Sequence, residues 1–138
     1  MMDWQDCFNK RIIKDIKPDY ELIKSLVKSS NNKLESENKL ITSNITTSSK
    51  ISLAYDSLRE LLEALAIKKG YKIYNHECYV PFLKEIIDES DKGDIFDEIR
   101  KIRNAVNYYG KDIPIQEAND TVAKIKNLRN SILDLLNI

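Results

Sequence analysis

The run Arg100-Lys101-Ile102-Arg103-Asn104-Ala105-Val106-Asn107-Tyr108-Tyr109 holds two arginines, two carboxamides and two phenols close together. In a helix each residue turns by about 100°. With Ile99 as origin, Ile95, Ile102 and Val106 then lie within about 60° on one side and Phe96 near 60° on the other. Arg103 falls near 40°, inside this apolar sector, with Asn107 and Arg100 near 80° and 100° on its flank. Arg100, Arg103 and Asn107 therefore form one polar ridge at the edge of the core. A guanidinium is costly to bury alone. Its planar fork suits a carboxylate or a phosphate. An intramolecular partner is available in Asp56 or Glu63, and such a pair can also position the arginine for a ligand. The chain has a single histidine, His76, in Tyr74-Asn75-His76-Glu77. It reads either as a connector residue or as a titratable group folded back onto the arginine helix.

These residues need a scaffold, and the periodicity supplies a helical one. Helices are expected over about 3–16, 18–38, 46–69, 78–88, 95–109 and 116–137, because the apolar residues recur at a period of 3.6. Lys17-Pro18 separates the first two, since the residue before proline disfavours the helical region. The stripe Ile51, Ala54, Tyr55, Leu58, Leu61, Leu62 and Leu65 marks the strongest of them. It stops at Lys68-Lys69-Gly70, cations followed by glycine. Residues 42–50 read as a Ser/Thr-rich loop or helix start, and 89–94 as an acidic loop containing Gly93. Gly110 and Pro114 end the arginine helix. No sustained period-2 alternation is present, so the fold class is all-α: one compact antiparallel bundle of five to six helices spanning 1–138.

Composition narrows the function classes. Of 138 residues, 22 are Lys or Arg and 22 are Asp or Glu, a formal net charge of zero. Residues 1–50 hold 9 basic and 7 acidic side chains, residues 51–99 hold 6 and 11, and residues 100–138 hold 7 and 4. A neutral total argues against a general nucleic-acid coat, whereas the basic C-terminal part permits a local patch. No apolar stretch is long enough for a membrane span, and no signal-peptide core is visible at the N-terminus, so the expectation is cytoplasmic. Cys7 and Cys78 cannot make a disulfide framework and fit a reducing compartment. One histidine and two distant cysteines leave a zinc site short of ligands, and no metal or other cofactor is expected. The abundance of Lys, Ile and Asn gives a prokaryotic impression.

The arginine run resembles the signature of HEPN domains (higher eukaryotes and prokaryotes nucleotide-binding), in which an Arg is followed after four to six residues by His, often as R-N-x-x-x-H. Arg103-Asn104 resembles its opening. Ile51-Ser52-Leu53-Ala54-Tyr55-Asp56-Ser57-Leu58 resembles the family's tyrosine-bearing helix, and the order of elements fits over roughly 18–137. The resemblance implies a helical bundle that dimerises through the motif helices. It also implies a site in which the Arg holds a phosphate of RNA and the His moves protons as the 2′-hydroxyl attacks. Many members are metal-independent endoribonucleases, including toxins of toxin–antitoxin and defence systems. Some pair with a nucleotidyltransferase antitoxin that modifies a tyrosine two residues beyond the His.

This chain departs at the decisive position. Tyr108 occupies the His slot counted from Arg103, and Asn107 occupies it counted from Arg100. Asn does not titrate, and Tyr has an ordinary pKa of about 10. The modified tyrosine would be Tyr109 in the Arg100 register and Gly110, which cannot be modified, in the Arg103 register. The expectation is an RNA- or nucleotide-binding homodimer without efficient catalysis. Arg100, Arg103, Asn104 and Asn107 would take the phosphate, with Tyr55, Asp56, Glu63 and Tyr109 in support. A divergent endoribonuclease using Arg103, Tyr108, Asn107 or His76 is the alternative, and a bundle that pairs with a nucleotidyltransferase is a third.

Overall fold

The computed structural model describes residues 2–138 and is an all-α fold with one small strand pair. Helix α1 (Trp4–Asn9) leads to β1 (Ile13–Asp15), followed by α2 (Tyr20–Lys39) and α3 (Thr47–Lys68). Strand β2 (Tyr71–Ile73) precedes a wound segment of three short turns. These are a 3-10 turn (His76–Cys78), one α turn, α4 (Tyr79–Pro81), and a π turn (Phe82–Ile86). Helices α5 (Ser90–Tyr109) and α6 (Ile115–Leu136) complete the chain.

Helix α3 is the centre of the molecule because its apolar stripe is nearly continuous. Ile51, Ala54, Tyr55, Leu58, Leu61, Leu62, Leu65 and Ile67 are all buried. Helix α2 packs on it through Ile23 and Ser30, and α6 through Ile125, Leu128, Ile132 and Leu136. Buried ion pairs tie the three together. Lys33 meets the buried Glu60 at 2.5 Å, and Glu37 lies between Lys50 (3.6 Å) and Lys126 (3.3 Å). Lys50 Nζ also donates to the carbonyls of Glu37 and Leu40, at 2.9 and 2.8 Å, closing the end of α2.

Four expectations are corrected. The helix expected over 3–16 ends at Asn9, and Arg11 takes a left-handed backbone (φ 60°). Asp3 and Asp6 form a capping box that starts α1. The chain then leaves the helix so that Ile13–Asp15 can pair antiparallel with Tyr71–Ile73. These three-residue strands are too short to show an alternating pattern. The helix expected over 78–88 is the mixed segment above, wound partly at i→i+5, as in Ile87 N–H to Phe82 O at 3.0 Å. Residues 90–94 are helical rather than a loop. Gly93 is the reason, because a Cβ there would lie 2.6 Å from Lys84 Cγ and 3.1 Å from the Val80 carbonyl. Its absence lets α5 begin directly against the wound segment.

The fourth correction concerns the cysteines. Cys7 and Cys78, both fully buried, are joined in a disulfide that fastens α1 to the segment after His76. This removes the thiol argument for a reducing compartment. Among the described residues no helix is long and apolar enough to cross a membrane.

Candidate functional site

The connector Tyr74–Glu77 is short and held at every step, so it lies against α5 in a fixed pose. Tyr74 N–H bonds to the Ile12 carbonyl at 2.9 Å. Asn75 Oδ1 accepts from Glu77 N–H at 2.9 Å and starts the 3-10 turn. The disulfide at Cys78 fixes its far end. Between this connector and α5 is an open cleft of about 280 Å³. Tyr74, Asn75, His76 and Glu77 form one wall. Arg100, Arg103, Asn104 and Tyr108 form the other.

His76 and the Arg-Asn pair therefore share one cleft, although they are far apart in sequence. Tyr55 of α3 connects them. Its buried ring stacks on Phe96 (6.0 Å between centroids) and lies beneath the Arg103 guanidinium, whose carbon is 5.0 Å from the ring centroid. Its hydroxyl is 3.1 Å from His76 Nδ1. Burial pushes the Tyr55 phenol up to about 12, although Arg103, Arg100 and Arg59 pull it down. The hydroxyl therefore keeps its proton at neutral pH. His76 is shifted the other way, down to about 4, first by burial and then by the positive charges of Arg59 and Arg103. At neutral pH a protonated phenol thus meets a neutral imidazole, and the tautomer of the ring decides which of the two donates. With the hydroxyl donating to Nδ1 the ring proton is on Nε2, and with Nδ1–H donating to the hydroxyl Nε2 is an acceptor.

Arg100 and Arg103 differ in their partners. Arg100 Nη2 donates to Asp97 Oδ1 at 2.8 Å. Burial works against ionisation of Asp97, but the bonds from Arg100 and Lys101 outweigh it and hold the carboxyl below its ordinary value. Arg103 has no carboxylate within 4.0 Å among the described residues. Its Nε is buried without a hydrogen-bond partner, and its Nη1 reaches only the Tyr108 hydroxyl, at 3.5 Å. The carboxylates expected to serve these arginines, Asp56 and Glu63, lie instead within 4.0 Å of Arg59, at 3.9 and 3.4 Å. The i,i+3 and i,i+4 spacing of Asp56, Arg59 and Glu63 on one helix is the signal for that arrangement. The spacing of Asp97 and Arg100 is the same kind of signal.

The other expected residues are divided. Asn104 and Tyr108 line the cleft. Asn107 does not line it; its Oδ1 accepts from Ser52 Oγ of α3 at 3.1 Å. Tyr109 is 83% exposed and also outside the cleft lining. Two further residues went unnoticed in the sequence. Arg59 adds positive charge near His76. Tyr74 flanks the cleft and is 58% exposed.

Arginines 100 and 103 face a single acid, Glu77, in the lining. With the Asn75 and Asn104 side chains and an Arg103 that no carboxylate pairs among the described residues, the cleft offers hydrogen-bond donors suited to an anion with several oxygens. Among the described residues no group of three or more His, Cys, Asp or Glu is placed to hold a metal ion. No family model, characterised protein or solved structure matches the chain. The resemblance to HEPN domains rests on the motif residues themselves.

Proposed function

We propose that the chain is a HEPN-like domain that binds RNA or a nucleotide through a phosphate seated at Arg103. One observation carries this reading. Arg103 lines an open cleft and, among the described residues, has no carboxylate within 4.0 Å, its Nη1 reaching only the Tyr108 hydroxyl at 3.5 Å. A half-buried guanidinium without an anionic partner is costly, and a phosphate at its terminal nitrogens would supply one. Arg100 lines the same wall, with its Nε and Nη2 engaged by Asp97.

Binding ranks above catalysis for a reason of proton affinity. His76, held down to about 4, is uncharged at neutral pH and a weak proton acceptor. The endoribonuclease reading is the second one, favoured by the position of His76 in the Arg103 cleft. It needs an imidazolium, formed when the anion binds, that delivers its proton to the departing 5′-oxygen while solvent takes the proton of the 2′-hydroxyl as that oxygen attacks phosphorus. The resemblance also brings a homodimer and a nucleotidyltransferase partner into the proposal, whereas the cytoplasmic setting expected from the N-terminus has the Cys7–Cys78 disulfide against it. The exposed Tyr109, outside the cleft lining at the end of α5, supports a contact face there.

The test is salt-dependent binding of a short single-stranded RNA by the pure protein and by Arg103→Ala. The expected result is binding that falls at least tenfold in the variant. Equal binding by the two proteins refutes the phosphate seat. RNA cleavage in EDTA that is lost in both Arg103→Ala and His76→Ala would promote the nuclease reading. Light scattering and co-purification test the partners.

A further inference from the structure

Two tyrosines flank the cleft from opposite walls. Tyr74 belongs to the connector and is 58% exposed, and Tyr108 belongs to the last turn of α5 and is 70% exposed. Each ring is already engaged by one cation. Lys72 Nζ lies 5.8 Å from the Tyr74 centroid, and the Arg103 guanidinium carbon lies 5.8 Å from that of Tyr108. Such contacts hold a ring in place while leaving much of it open to solvent. The cleft is small, about 280 Å³, against about 300–1,000 Å³ for sites that enclose a whole small ligand. It has room for a phosphate and part of a sugar, so the rest of a ligand must lie outside, on the rim where the rings are.

We propose that Tyr74 and Tyr108 are stacking platforms for the bases on either side of the phosphate at Arg103, so that the ligand is a single-stranded nucleic acid. This rests on the phosphate seat proposed above and adds to it the chemistry that separates a polynucleotide from a bare phosphate. Stacking on aromatic rings is tolerant of base identity, so the site reads single-strandedness and not sequence. A paired duplex, whose bases are already stacked, gains nothing from the rings.

The experiment compares two probes, a hexauridylate with 2′-O-methyl riboses, which resists cleavage, and the same backbone without bases. Wild-type protein is expected to bind the base-bearing probe more tightly. Tyr74→Ala and Tyr108→Ala are each expected to weaken it about 5- to 100-fold. Tyr74→Ala should leave the abasic probe unchanged. Tyr108→Ala also removes contacts of Arg103, so there the loss should be larger for the base-bearing probe than for the abasic one. Tyr74→Phe and Tyr108→Phe should keep the preference for bases. Both tyrosines are exposed, so circular dichroism should show the variants folded. Equal affinity for the two probes, with no effect of either alanine, overturns the platforms while leaving the phosphate seat standing. If Arg103→Ala binds both probes as the wild type does, the seat fails and the platforms with it. Loss of a concentration-dependent dimer in Tyr74→Ala and Tyr108→Ala, without any change in probe binding, assigns the rings to a second copy of the chain and also overturns the proposal.

Discussion

Seating an anion against His76 should make binding take up a proton. In the free protein His76 sits at about 4 against an ordinary 6.5, through burial and the charges of Arg59, Arg103 and Arg100, with Asp56 opposing. A phosphodiester placed at Arg103 brings negative charge to the same cleft and raises that value. The linkage runs in one direction: the bound state holds more proton than the free state, so affinity rises as pH falls. If binding restores the ordinary 6.5, the affinity of a dinucleoside monophosphate rises about tenfold between about pH 8 and about pH 5.5. If it restores only about 5.5, the rise is about twofold. A 2′-O-methyl phosphodiester is the right probe because its phosphate does not titrate in this window. Fluorescence anisotropy across the pH series reads the effect, and His76→Gln should flatten it. A flat wild-type profile, or a slope that survives in His76→Gln, would refute the coupling between His76 and the seat.

Four further outcomes follow from the fold. The folded chain disfavours protonated His76, so between about 6.5 and about 4 the unfolded chain binds more protons and stability falls as pH drops; thermal melts of His76→Gln should lose less than the wild type on acidification. Opening the ring closed by Cys7–Cys78, 71 residues apart, through Cys7→Ser should cost about 4 kcal/mol in denaturant unfolding. Gly93→Ala should cost about 1–3 kcal/mol by forcing α5 away from Lys84 and the Val80 carbonyl. Arg129 is buried with Nε and Nη2 on Ser30 Oγ and Nη2 on Asn31 Oδ1, and burial pulls its pKa down. Arg129→Met should leave stability within about 1 kcal/mol of the wild type or raise it, since it removes a buried charge that has no carboxylate.

Legibility in the sequence followed the range of the interactions. Helices α3 and α6 could be read because their stripes are long and local physics repeats at every turn. The start of α5 could not, because Gly93 reads as a loop residue until Val80 and Lys84 are known to pack against it. The arginine ridge was visible as a charge in an apolar sector, but its partners were misassigned. The nearer carboxylate on the same helix takes Arg100, and Arg59 lies beside Asp56 and Glu63. The approach of His76 to Arg103 depends on the strand pair, the Asn75 turn and the disulfide acting together across the chain. None of these has a local pattern. Arg129 was invisible for the same reason, since its partners Ser30 and Asn31 lie on another helix.

The disulfide also determines what a cut in the chain does. Cys7 and Cys78 enclose α2, α3 and the loop between them, where Ile41 and Ile45 stand 84% and 90% exposed. A protease that nicks this loop leaves both pieces covalently joined, one band on a non-reducing gel and two after reduction. A nick between Gly110 and Pro114 falls outside the ring, and only the non-covalent contacts of α6 with α2, α3 and α5 then hold the C-terminal piece in place.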